Sequence, residues 1–390
     1  MPWRERSPMD ERMQFVADHT RQLWSMTELC DRYGVSRKTG YKWIDRYVRQ
    51  GAAGLESRTS RPRHSPQTTD PTIAQAIIAL RRRERWGGKK IVAVLAERHP
   101  TWVMPAVSTA NDILKRAGLV TTRRRARPVP PAVYTAPALS SPNQVWTADF
   151  KGQFRTGNGQ LCYPLTICDR WSRFLLMCHA LPTPSTTATQ EMFRRAFREY
   201  GLPERIRTDN GEPFAAASLG RLSRLSVDWI RLGIYPELIA PGAPQQNGAH
   251  ERMHRTLKAE TTRPAAATFA AQQRRFDRWR QTFNVERPHE ALGLTPPAAH
   301  YTPSPRPYPR RLPALEYPPH VELRRVDGSG MIRWHSERLF LSHVLIGEYV
   351  GLEETGDAEW TITLGPLRLG HYCAREAAFV EAVTWSPPLT

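Results

Sequence analysis

Cysteine is scarce in this sequence. Cys30, Cys162, Cys168, Cys178 and Cys373 are the five, and no two form a Cys-x-x-Cys pair. That spacing excludes the usual zinc knuckle and the dithiol redox motif, and an odd, scattered set suits free thiols in a reducing cytosol. Long hydrophobic runs are missing as well. No apolar stretch reaches the ~18 residues of a membrane span, and the opening Met1-Pro2-Trp3-Arg4 carries no apolar signal segment. The expected location is therefore cytoplasmic, with no membrane partner. Negative charge is also short: 37 Asp and Glu stand against 56 Lys and Arg, a formal net charge of +19 over 390 residues.

The excess is uneven. Residues 1–142 carry a net +14, residues 143–310 a net +9 and residues 311–390 a net −4. A basic excess concentrated in the first third points to a polyanion partner, nucleic acid first. Length alone calls for several domains.

Seven segments are expected. Residues 1–56 read as three short helices, with Gly34-Val35 as a tight turn and Ser36 as the cap of the third. Helix, turn, helix is a DNA-reading arrangement. Arg37, Lys38, Tyr41, Lys42 and Arg46 on the third helix are placed to reach phosphates and base edges of double-stranded DNA. A Ser/Pro/Arg linker follows at 57–71, then a second helical DNA-binding unit at 72–120. Residues 121–142 form a basic Pro/Arg linker in which Arg123, Arg124 and Arg125 are suited to track a phosphate backbone. From Asn143 to residue 300 the pattern turns to strands and then to alternating helix and strand, with Gly157-Asn158-Gly159 as a hairpin turn and a helix expected over Ala217–Leu232. A Pro-rich linker at 301–319 leads to short strand-like runs at 320–390, expected as a small β-barrel.

Three acids stand out within 143–300. Asp149 lies in Trp146-Thr-Ala-Asp-Phe-Lys151, inside an expected strand, where an unpaired carboxylate is costly. Asp209 lies in Thr208-Asp-Asn-Gly211, which by itself suits a turn. Glu251 follows Pro244-Gln-Gln-Asn-Gly248 near a helix start, where the helix dipole favours an acid. Individually each has a bland explanation. Together, with these flanking residues, they resemble the catalytic core shared by retroviral integrases and bacterial insertion-sequence DDE transposases.

That resemblance implies a multidomain α+β chain: all-α helix-turn-helix units, a ribonuclease-H-like α/β core with a mixed five-stranded sheet, and the C-terminal barrel. It implies that Asp149, Asp209 and Glu251 are catalytic and bind two Mg²⁺ or Mn²⁺ ions. It implies hydrolysis of a phosphodiester at the end of a mobile element, then attack of the freed 3′-hydroxyl on target DNA. A homodimer or higher multimer would join two ends, in a nucleoid-associated protein. Arg255 and Lys258, on the Glu251 face of the helix, would hold the DNA end. The 41 residues between Asp209 and Glu251 exceed the gap in many relatives, and a longer loop or helix absorbs them.

Two other readings remain. One is a DNA-binding regulator whose core is inactive. The other is a zinc hydrolase, because His250-Glu251-Arg252-Met253-His254 matches the H-E-x-x-H zinc helix. Against the second, Glu260 is the one further ligand in sight, and a protease has no use for the basic helix-turn-helix. On the transposase reading the two histidines lie beside Glu251, packing or touching DNA, and hold no metal.

Overall fold

The computed structural model describes residues 7–57, 68–120, 139–216, 218–240, 244–334, 337–376 and 378–385. It separates into two compact units, Met1–Thr69 and Asp70–Thr390.

The first unit is a trihelical bundle of α1 (Pro8–Thr20), α2 (Met26–Arg32) and α3 (Arg37–Gln50). Each helix opens on a serine, Ser7, Ser25 or Ser36, whose hydroxyl accepts from an otherwise orphaned backbone N–H. Phe15, Val16, Leu29, Cys30 and Leu55 fill the centre. Gly40 lets α3 approach the other two helices: a Cβ there would sit 2.7 Å from Cys30 Sγ and 2.9 Å from Phe15 Cζ. Gly40→Ala should therefore destabilise this unit by roughly 1–3 kcal/mol, the cost of an overpacked core. Thermal unfolding of the variant checks it, and an unchanged midpoint would contradict the close packing.

The second unit begins with α4 (Pro71–Glu84), α5 (Gly88–Arg98) and α6 (Val107–Arg116), packed around Ile77, Trp86, Ile91 and Leu114. Its centre is a sheet of β1 (Val145–Phe150), β2 (Phe154–Arg155), β3 (Leu161–Asp169), β4 (Leu175–Leu181), β5 (Arg205–Thr208) and β6 (Tyr235–Leu238). The order is β4-β3-β1-β5-β6, with the two-residue β2 added to the start of β3. β1, β5 and β6 run parallel; β3 is antiparallel to both β1 and β4. The sheet is mixed, as expected, with this short sixth strand in addition.

Strand alternation sorts β1. Trp146 and Ala148 join Phe193, Phe197 and Trp229 of α7 (Thr186–Tyr200) and α8 (Arg224–Arg231) on one face. Thr147 and Asp149 turn to the other face, towards α9 (Gly248–Thr261). There Met253 and Leu257 of α9, with Phe276, Trp279 and Phe283 of α10 (Phe269–Val285), cover Cys162, Cys168 and Cys178. These thiols are free and buried.

The helix expected over Ala217–Leu232 is shorter. Gly220 takes a left-handed φ of 63°, and its N–H donates to Glu381 Oε1 at 2.7 Å, so this stretch docks a later strand instead of continuing as helix. The Pro-rich segment after residue 300 lies against the core. Tyr301, Tyr308 and Leu312 pack on it, and the Arg306 guanidinium donates to the carbonyls of Pro203 and Leu232.

The C-terminal part departs from the barrel expectation. β7 (Glu322–Arg325), β10 (Tyr349–Gly356), β11 (Glu359–Leu364), β12 (Leu367–Cys373) and β13 (Ala378–Trp385) form an antiparallel sheet in the order β13-β12-β11-β10-β7. β8 (Met331–Trp334) and β9 (Glu337–Phe340) form a separate two-stranded ribbon. β13 and β7 stand at opposite edges and do not pair, so among the described residues no barrel closes. The sheet buries its apolar side against α8 instead: Val227 and Ile230 share a core with Leu345, Leu352 and Leu367. Among the described residues no helix is long and apolar enough to cross a membrane.

Candidate active site

The site forms where β1, β5 and α9 meet. Asp149 is on β1, opposite Thr166 of β3. Asp209 directly follows β5, with Oδ1 accepting from the Gly211 N–H at 3.2 Å in the turn. Glu251 is in the first turn of α9 and exposed. Asp149 is largely buried, and its carboxyl is pushed up to about 7, by burial first and then by the negative charges of Asp209 and Glu251. The other two acids are therefore close enough to act on it. The three carboxylates do not all lie within 4.8 Å of one another.

The floor beneath Asp149 is a hydrogen-bonded histidine pair. His250 and His254 are 3% and 4% exposed, with rings 4.6 Å apart. Thr166 Oγ1 touches the Asp149 carbonyl oxygen at 3.1 Å, His250 Nε2 at 2.7 Å and His254 Nε2 at 2.6 Å. A hydroxyl has one proton and two lone pairs. The carbonyl can only accept, so the proton goes there and both Nε2–H groups donate to Thr166. With Nε2 protonated in a neutral ring, His250 Nδ1 accepts from Thr147 Oγ1 at 2.8 Å, closer than that hydroxyl's other acceptor, the Cys168 carbonyl at 3.4 Å. His254 Nδ1 keeps its lone pair, 3.6 Å from Asp149 Oδ2. Both rings are thereby neutral, consistent with burial pulling His250 down to about 3 and His254 further below its ordinary value.

Sequence reasoning missed this relation. Asp149, His250 and His254 place one ligand atom each within 4.8 Å of one another, so the third group absent near the H-E-x-x-H segment comes from β1. The strand alternation of Thr147 and Asp149 against the i, i+4 histidines was the signal available. Both nitrogens of His250 are nevertheless occupied by threonine hydroxyls. Glu260 is held by the Arg287 guanidinium at 3.0 Å and the Trp279 N–H at 2.7 Å. His250→Leu should leave the Thr147 hydroxyl without its near partner and strip one partner of three from Thr166, at a cost of about 1–3 kcal/mol. Denaturant unfolding checks this, and elemental analysis of the wild-type chain should find no stoichiometric zinc.

The expected DNA-facing residues fall in three places. Arg37, Lys38, Tyr41 and Lys42 are exposed on α3, and Arg46 is half-buried. Lys42 and Arg46 lie 4.6 and 5.0 Å from the centre of the Trp43 ring. Arg255 and Lys258 are exposed on α9. Arg123, Arg124 and Arg125 lie outside the described residues.

Comparison with known proteins agrees with this architecture. Two integrase core domain family models match residues 140–244 and 232–297, and two homeodomain-like domain models match residues 7–56 and 39–114. The insertion element IS407 uncharacterized 31.7 kDa protein of Burkholderia multivorans is 27% identical over 245 residues, covering 60% of this chain and 82% of that protein. The chain is therefore similar to insertion-element proteins and carries an integrase core domain match over residues 140–297. A second relative is the IS476 uncharacterized 39.2 kDa protein of Xanthomonas euvesicatoria, 31% identical over 163 residues, which are 41% of this chain and 45% of that protein. Among solved structures, the HTLV-2 integrase catalytic core domain in complex with magnesium is similar at 17% identity and a TM-score of 0.33, covering 41% of this chain and 98% of that one. The homeodomain-like matches span both helical units.

Proposed function

We propose that this chain is a DDE-type transposase. It binds the ends of a mobile DNA element and carries out metal-dependent strand cleavage and strand transfer. The observation that carries the reading is the Asp149 carboxyl, pushed up to about 7 by burial and by two further acids supplied from β5 and α9. Carboxylates gathered with no paired cation repel one another, and a divalent cation removes that repulsion. An all-oxygen set suits a hard ion such as Mg²⁺ or Mn²⁺.

Asp149, Asp209 and Glu251 would hold two such ions, which neutralise phosphoryl charge and stabilise the attacking and leaving oxygens. The chain's own contribution is placement. Thr166 pins the Asp149 backbone, the neutral histidines give the site a dry floor, and Arg255 and Lys258 bind phosphates of the DNA end. The α3 residues Arg37, Lys38, Tyr41, Lys42 and Arg46 anchor the duplex, with Arg123, Arg124 and Arg125 tracking the backbone between the domains. Joining two ends requires at least a homodimer.

The test is a nicking assay on duplexes carrying the DNA that flanks the chain's own gene, with Mg²⁺, Mn²⁺ or chelator. Cation-dependent nicking is expected. Tight duplex binding without nicking would favour the inactive regulator. Activity that requires tightly bound zinc, lost on changing His250 and His254, would favour the hydrolase.

A further inference from the structure

Beside the acidic site, along α9, lies a second feature that the three carboxylates do not use. A cavity of about 340 Å³ opens between the N-terminal turn of α9, the turn after β3 and the segment following α10. Thr147 lines it, two residues from Asp149 on the same face of β1. Along a strand that is about 7 Å. The cavity lies one short step from the carboxyl at the centre of the proposed chemistry.

Its lining is cationic. Lys90, Arg170, Arg173, Arg252 and Arg287 face it, against the carboxylates Asp169 and Glu290. Asp169 is already consumed: Oδ1 accepts from the Ser172 N–H at 2.7 Å and Oδ2 from the Asn143 N–H at 2.7 Å. Glu290 is 3.6 Å from Lys89 Nζ. Among the described residues, the side chains of Lys90 and Arg173 have neither a hydrogen bond nor an ion pair, although both are half-buried. Burial and the Arg287 guanidinium pull the Lys90 ammonium down to about 8. Burial also pulls Arg173 below its ordinary value, with Arg252 adding to it. Lys90, Arg173 and Arg252 are thus crowded together, and the nearby Glu290, Glu260 and Asp169 offset this only in part.

One polar side chain points the same way. Asn247 lines the cavity, is 7% exposed, and its Oδ1 has no hydrogen-bond partner. It caps α9 without donating or accepting a side-chain capping bond, so the N–H groups of the first turn keep their positive end on this side. Turning the amide about its last bond presents two N–H donors instead. Phe283, Met253 and Ala291 supply an apolar wall.

We propose that this cavity binds a phosphate of the DNA strand being cut, the one next to the phosphate at Asp149. A phosphodiester oxyanion between Lys90, Arg173 and Arg252 meets the donors that lack partners and relieves their mutual repulsion. Lys90 comes from the helical unit, whose α5 is tied to the core by the Arg98–Glu286 ion pair at 2.9 Å. The bound strand would therefore couple that unit to the catalytic sheet. The identity of the ligand as cut DNA rests on the transposase reading; the cavity as a phosphate site does not.

The test uses the full chain in chelator, so that no strand is cut. Lys90→Gln with Arg173→Gln is compared with Arg274→Gln and Arg278→Gln, an equal change of charge on exposed positions of α10. Affinity is measured for blunt and frayed duplexes across a salt series. The cavity variant should lose about tenfold or more in affinity for the frayed duplex, the value of lost charged hydrogen bonds. Its salt slope should flatten by about 0.9 per lost contact. The α10 control should lose much less, and the cavity variant should melt no lower than wild type because repulsion is removed. Arg252→Gln, on the exposed side of α9, repeats the comparison should the double variant melt early. Equal losses in the two double variants overturn the proposal. Inorganic phosphate or a nucleoside monophosphate that raises the wild-type melting temperature, with no selective loss on frayed DNA, also overturns the DNA strand as its source. A wild-type chain that never nicks DNA in Mg²⁺ but shows the selective loss would sink the transposase reading and leave the phosphate site standing.

Discussion

Asp149→Asn should lower Mg²⁺-dependent strand cleavage by about 10³-fold or more, while binding of the same duplex changes by less than about threefold. The expected loss corresponds to several kcal/mol of transition-state charge stabilisation that depends on the ions this carboxylate would hold. The substitution keeps the shape of the side chain and removes the charge that attracts a cation. On the proposed reading binding survives because the duplex would be held elsewhere, by α3 and the basic helical units. Asp209→Asn and Glu251→Gln should behave alike, since residues that act as one unit are not additive. A variant at any of the three that retains near wild-type cleavage would remove that residue from the site. Equal loss of cleavage and binding would point to an unfolded chain, which the melting curve decides.

The second large effect is on stability without metal. The Asp149 carboxyl is raised in the folded chain to about 7 from an ordinary 3.8. An acid raised on folding binds its proton more tightly in the native state. Its contribution is complete below about pH 4, is lost as pH rises towards 7, and stays lost above that. In chelator, stability should therefore fall between about pH 4 and pH 7 by roughly 2–4 kcal/mol from this group. Asp149→Asn should remove this fall and be the more stable protein at pH 8. Mg²⁺ should restore wild-type stability at pH 8 and leave the variant unaffected. Denaturant unfolding at pH 5 and pH 8, with and without Mg²⁺, checks all four cells. Wild type and variant falling in parallel would show that Asp149 is not the group repelled by its neighbours.

Much of this architecture is legible in the sequence because the local signals are strong. The Gly34-Val35 turn and the Ser36 cap mark the start of α3, and the change to strands after Asn143 marks the start of the sheet. What stayed hidden depends on distant partners. Gly220 breaks the expected helix because Glu381, 161 residues later, takes its N–H. The sheet at the C-terminus remains open because it covers α8, and strand patterns alone do not distinguish an open sheet from a closed one. Thr166 in β3 gives no local hint that it joins two histidines to the backbone of Asp149. The basic cavity is assembled from α5, the turn after β3, α9 and the segment after α10. No window of sequence contains it.

Anomalous diffraction from crystals grown with Mn²⁺ tests the central claim most directly. Two peaks about 4 Å apart, held by the oxygens of Asp149, Asp209 and Glu251, with His250 still bonded to Thr147 and Thr166, are the expected result. A single peak bound by Asp149 together with His250 and His254, and no density at Asp209 or Glu251, would contradict it.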